Sequence, residues 1–285
     1  MNKSTVLSAL RFGAWAVLAL VGWQLLPDRY VGPYNAWNLH AIMEFVITLF
    51  SISLAGKLAV YLLGAHQGLV LMGLIGGFAS STATIHNMGV IAKSQPQLAD
   101  HAALSGVLSN IATLVQLVVL LQLLAPPLLT LLVQPLCFGF VGISAYAVYV
   151  LVRRRSLRTA DTPTDEVVSL NWKSLLTLTA LVSGVSYVSA ALNAAYGQGG
   201  LWMGAALSGL VDAHAFIPTV ASMLTQQKLS ASEALMPLLI ALSANTLTKS
   251  LIALQSGGWT YARKVSSGVW ITTFAVWAGY LMDRS

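Results

Sequence analysis

Apolar runs of about twenty residues recur from one end of this chain to the other, and that recurrence fixes its solvent. A hydrocarbon core about 30 Å thick is spanned by about 20 apolar residues in a helix. Runs of this kind fall at 5–26, 39–63, 68–92, 102–124, 128–152, 172–195, 200–224, 235–254 and 265–281. Only 8% of the 285 residues are charged, against about 25% in soluble domains, so a water-covered surface cannot be built. The sequence predicts an all-α polytopic membrane protein of about nine hydrophobic segments.

The first run contains Arg11 and lacks a small-x-small cleavage site, so it reads as a retained span rather than a leader. A lone Cys137 leaves no disulfide framework and no cysteine metal cluster. The net charge of +6 is gathered in loops, above all in Val152–Arg158, "VRRRSLR". That stretch reads as a cytoplasmic loop under the positive-inside rule, and no nucleic-acid module accompanies it. Trp23, Trp37, Trp172 and Trp259, near segment ends, are expected to anchor at the interfaces.

An internal repeat is the second organising feature. "GLVLMGLIGGFASSTATI" (Gly68–Ile85) aligns with "GLWMGAALSGLVDAHAFI" (Gly200–Ile217), which sets Ser80 on Asp212, Thr82 on His214 and Ile85 on Ile217, with 212 − 80 = 132. Downstream, Asn110 is matched with Asn245 at a register shifted by three. The division expected is one membrane unit over 1–125, a second over 126–256, and a C-terminal helix over 257–285. Transporters commonly carry such repeats, with discontinuous helices around a midplane site. The third and seventh segments are therefore expected to be broken or re-entrant. Full crossings would make the units parallel, re-entrant hairpins would make them inverted, and the distribution of Lys and Arg fits both.

Polar groups at depth mark the candidate site. A charge at the bilayer centre costs about 2.5–3.5 kcal/mol on insertion scales, so it persists where it is paired, wet or used. Asp212 lies mid-segment, where its short side chain cannot reach an interface. His214 would point away from it in a regular helix, but both face one cavity if the chain unwinds between Gly209 and Pro218. Lys249, on the next segment, is the expected ion-pair partner of Asp212. Ser80, Ser81, Thr82 and Thr84 can bond to the preceding turn's carbonyls or offer oxygens to an ion. Asn110 and Asn245 can lend amide oxygens or brace the breaks. His86 and Asn87, one turn beyond the first break, and Glu44 are supporting candidates. Arg11, Lys57 and Glu44 read mainly as structural; Glu44 and Lys57, 13 positions apart, cannot pair.

With "GLIGGFASSTAT" (Gly73–Thr84), "GLVDAHA" (Gly209–Ala215) and "ANTLTKS" (Ala244–Ser250) in this order, the chain resembles an integral-membrane family found at the C-terminus of MgtC/SapB-type proteins and also standing alone. The resemblance covers about Leu39 to Ser256. It implies divalent-cation homeostasis at a bacterial inner membrane, and carries over Ser80, Ser81, Thr82, Thr84, Asp212, Asn245 and Lys249 as motif positions. That family often reads Asp-x-Asp-Ala where this chain has Asp212-Ala213-His214-Ala215. Imidazole in place of a carboxylate moves the expectation from magnesium toward zinc, manganese, cobalt or nickel, or toward proton coupling.

The expectation is a multi-pass transporter or facilitator for a divalent metal cation, with Asp212 and His214 as metal ligands and no resident cofactor. A homodimer is compatible with it. A small-anion transporter and a non-transporting regulator are the alternatives. An enzyme is not expected, because neither G-x-S-x-G nor H-E-x-x-H occurs.

Overall fold

The computed structural model describes residues 21–63, 69–153 and 172–283. A short antiparallel ribbon, β1 (Tyr30–Val31) and β2 (Trp37–Asn38), pairs Tyr30 with Asn38. It leads into α1 (Leu39–Leu63), α2 (Leu69–Ser94), α3 (Ala99–Leu124) and α4 (Pro126–Arg153). Beyond residues 154–171 come α5 (Trp172–Tyr196), α6 (Gln198–Val211), α7 (Ile217–Thr225) and α8 (Ala231–Met282). Six of the described helices are long and apolar enough to cross a membrane.

Three expected segments are built differently. The run 200–224 is not one helix but α6 and α7, separated by five unwound residues that begin at Asp212. The runs at 235–254 and 265–281 belong to one helical stretch of 52 residues, α8, which turns at Gly258. There φ is +71° and ψ −177°, a left-handed backbone that glycine adopts without the Cβ penalty. The halves of α8 then run antiparallel: Thr246 and Thr273 share a hydrogen bond of 2.7 Å, and the Trp277 indole donates to the Ser243 hydroxyl.

Side-chain contacts fix which ends lie together. At one end, Asp100 of α3, Arg153 of α4 and Lys264 of α8 line a common cavity, and Lys264 pairs with Asp100. At the other, Gln226 and Lys228 donate to the carbonyls of Asn35 and Tyr34. Helix α4 runs antiparallel to the second half of α8, with Gly139 against Val276 and Gly279 against Pro135.

The main core gathers α3, α4, the α6–α7 region and both halves of α8 around Leu114, Leu128, Phe216 and Val276. A second cluster joins α2 to α3 and α8 through Ile85, Ala102, Tyr261 and Val265. The outward surface is also apolar, with Leu58, Val141, Leu207 and Phe274 exposed, as a lipid-facing surface requires.

Of the expected interface anchors, Trp259 is exposed. Trp37 instead turns inward and donates to the Ser183 carbonyl at 2.9 Å, because β2 tucks it against α5. Trp23 stacks on His40 at 5.0 Å between ring centroids. Most of the first expected segment, including Arg11, and the side chains of Lys57 and Trp172 lie outside the described residues.

Candidate ion site between two helix breaks

Helix α2 is interrupted at Ser80, where φ is −172° and ψ 111°. Helix α6 ends at Asp212, where φ is −158° and ψ 139°. Both are extended residues set into helical runs, and each caps the turn on its C-terminal side. The Ala83 N–H donates to the Ser80 hydroxyl at 3.2 Å, and the His214 N–H donates to Asp212 Oδ1 at 2.7 Å. The first is an N-cap contact that satisfies an open donor of the resumed helix; the second is a local turn within the unwound stretch, ahead of α7. Pro218, at the start of α7, has no N–H to lose there and presets its φ for the helix. Across the first break Gly76 faces Thr84, whose hydroxyl donates to the Ser80 carbonyl at 2.9 Å.

Helix α3 runs past both breaks. Ser109 approaches Ser81, with 3.5 Å between hydroxyl oxygens. Gln116 donates to the Phe78 carbonyl at 3.0 Å. One turn away, the Thr113 carbonyl lies 3.2 Å from His214 Nε2. The other ring nitrogen, Nδ1, is 2.9 Å from Asp212 Oδ1. Unwinding of residues 213–216 has thus turned His214 back onto Asp212.

Lys249 is 2% exposed and does not take the partner expected of it. Its ammonium donates to Asn110 Oδ1 at 2.6 Å and to Thr113 Oγ1 at 3.0 Å. Asp212 is instead paired with His214, so the Asp212–Lys249 ion pair is not formed, although each charge lies within the other's field. The reason is positional. The unwound backbone delivers the His214 ring to Asp212, while Lys249, one helix away, meets the polar face of α3. Thr113 therefore links His214 and Lys249, the first through its carbonyl and the second through its hydroxyl.

Asp212 and His214, the two residues expected as metal ligands, lie side by side. Among the described residues no three of His, Cys, Asp and Glu come together, and both His214 nitrogens already face protein oxygens. The Asp212 side chain is 38% exposed, and the bonds it accepts from His214 both go to Oδ1.

The remaining candidates separate. Ser81 and Thr84 are buried beside the first break, and Asn245 is buried on α8. His86 is exposed and bonds to its neighbour Asn87 at 3.2 Å, so this pair faces outward. Glu44 sits among His40 and Asp28 near the ribbon, away from both breaks. Thr113 and Gln116 were missed, although the 132-residue offset maps Asn245 onto Thr113.

Fold and site together define a multi-pass helical membrane protein with two helices broken at polar sequence, and a half-exposed acid, a buried imidazole and a buried ammonium beside them. The chain matches, over residues 47–257, the family described as a domain of unknown function (DUF4010). It belongs to that family. No curated protein and no solved structure matches it.

Proposed function

We propose that the chain is a secondary transporter of a small ion, built from two inverted units whose broken helices are re-entrant hairpins meeting at mid-depth. The observation that carries the reading is the recurrence of contacts, not only of residues, at one offset. Gly77 lies against Ser109, and Gly209 against Ala241. Phe78 accepts from Gln116, and Leu210 from Thr248. Every second member lies 132 positions after its counterpart (209 − 77, 241 − 109, 210 − 78, 248 − 116), as Asp212 does after Ser80. On this register Asn245 corresponds to Thr113 rather than to Asn110. The units are α1 to α4 and α5 to α8, with any earlier segment standing outside them.

The hairpin reading is supported by contacts across each break. Gly76 faces Thr84 across Ser80. On α5, Gly204 of α6 packs at Ser189 while Thr219 of α7 bonds to Ser186, so the two arms lie beside the same turns. Half-helix ends then point at mid-depth from opposite sides, an arrangement that suits ion binding.

Lys249 supports an anionic substrate. Its charge is held by neutral oxygens, and a fixed ammonium in a medium of low dielectric attracts an anion and opposes a second cation. A small anion is therefore the first reading, with Lys249, Asn110 and Thr113 at its centre, and Ser80, Ser81, Thr82 and Asn245 supplying donors. A metal cation is the second, favoured by the open carboxylate oxygen of Asp212. The His214 ring faces Asp212 and a backbone carbonyl rather than a serine hydroxyl, which supports a role other than hydrolysis. Placement in a bacterial inner membrane, and any association with MgtC/SapB-type proteins, rest on the sequence resemblance alone.

Purified protein in liposomes tests this against a panel of labelled chloride, sulfate, phosphate and small carboxylates, and of magnesium, zinc, manganese, nickel and cobalt. An anion that crosses with wild type and not with Lys249→Met supports the reading. Flux of a metal alone would move the assignment to the second reading. No flux of any kind would leave a membrane regulator.

A further inference from the structure

A cavity of about 200 Å³ opens between α5 and α7, on the end of the molecule that carries Gln226 and Lys228. Its lining carries the polar side chains of Ser186, Asn193, Thr219, Ser222, Gln226 and Lys228 between apolar ones such as Ala190, Ala194 and Met223. Thr219 donates to the Ser186 hydroxyl at 3.1 Å, and both are buried. Thr219 is only two positions into α7, directly beyond the unwound stretch that carries His214. The cavity therefore runs from one surface down the flank of the half-helix that ends at the candidate ion site.

Its mouth is where the described backbone is strained. Tyr34, Asn35 and Gln227 are the non-glycine residues with positive φ among those described, at 60°, 54° and 55°. Left-handed backbone brings the Cβ of an L-residue too close to the next carbonyl, and such conformations gather at clamps and switch regions. Here the strained turn is tied across the opening: Lys228 donates to the Tyr34 carbonyl and Gln226 to the Asn35 carbonyl, each at 3.2 Å. Gln226 also donates to Ser222 at 2.9 Å.

We infer that this cavity is the entrance for the transported solute, gated by the Tyr34–Asn35 turn, and that it admits small anions. The inference rests on the transport reading above. Its lining supplies hydroxyl and amide donors and one ammonium, and no carboxylate. The volume holds about six waters at roughly 30 Å³ each, enough for a partly hydrated anion of a few heavy atoms. The second arm of α2 packs against α8 at the opposite end. Gly89 lies against Ser256, and the buried Tyr261 hydroxyl donates to the Ile85 carbonyl at 2.7 Å.

Cysteine accessibility tests the entrance without requiring turnover. In a Cys137→Ser background, Ser222→Cys is treated in sealed membrane vesicles of both orientations with impermeant methanethiosulfonates, one bearing a sulfonate and one a trimethylammonium. The expected result is labelling only from the side of Gln226, with the sulfonate reagent favoured by about threefold to tenfold over the ratio for a free thiol. Lys228→Gln should remove that preference. Gln226→Cys at the mouth serves as a second probe should Ser222→Cys fail to fold. Inertness of both probes, labelling from the opposite side, or a preference for the cationic reagent would overturn the inference. Labelling reads entry and liposome flux reads transport, so failure of one is separable from failure of the other.

Discussion

Two donors converge on one oxygen of Asp212, the His214 N–H and the His214 ring, brought there by the unwound backbone. Lys249 is held differently, through the amide of Asn110 and the hydroxyl of Thr113. Coupling between side chains should follow these contacts. In double-mutant cycles read by thermal melting in detergent, Asp212→Ala and His214→Ala should be non-additive by about 1–3 kcal/mol. Asp212→Ala and Lys249→Ala should come closer to additivity; strong coupling there would restore the direct ion pair. Lys249→Met replaces a buried charge by an apolar chain of similar volume, a change that is often neutral or stabilising. Its melting temperature should stay within about 3 °C of wild type, even where transport is lost. A collapse in stability would show that Lys249 is chiefly a structural strut.

At the scale of elements, the breaks were legible in the sequence because polar groups in an apolar run demand an explanation, and because Ser80 and Asp212 fell at matching places. Partners were not legible. Nothing in spacing tells whether Asp212 meets Lys249 or His214, since the answer depends on how far residues 213–216 unwind. The turn at Gly258 was visible only as a gap between two apolar runs, because a polar stretch can continue a helix as well as end one. The close helix approaches were likewise hidden, and they carry a prediction. A Cβ on Gly209 would lie 2.0 Å from the Ala241 carbonyl oxygen, and one on Gly77 would lie 2.5 Å from that of Ser109. Overpacking of this kind costs about 1–3 kcal/mol, so Gly209→Ala and Gly77→Ala should each lower the melting temperature. Gly184, inside α5 with nothing within 4 Å of its missing Cβ, is the control. Gly184→Ala should be neutral, or stabilising by about 0.5–1 kcal/mol. Equal effects at all three positions would remove the argument from close packing.

For the whole molecule, inversion of the two units reduces to a parity. Between residues 154–171 and the C-terminus lie α5, the α6–α7 pair and the two halves of α8. If α6–α7 is a hairpin, three crossings separate the two points and they face opposite sides. If it spans, four crossings place them on the same side. The same count applies on the other flank, between Asp28 and residues 154–171, with α2 in place of α6–α7. Lys93, Arg153 and Lys264 gather at one end with Asp100, while Asp28, Glu233 and Asp283 lie toward the other with Lys228. The decisive measurement is a pair of compartment-specific reporters, one active only in the cytoplasm and one only outside it, fused within residues 154–171 and after Ser285. The inverted arrangement predicts a cytoplasmic signal from the internal fusion and an external signal from the C-terminal one. Both fusions reporting from the same side would contradict it, and with it the midplane site between two hairpin tips.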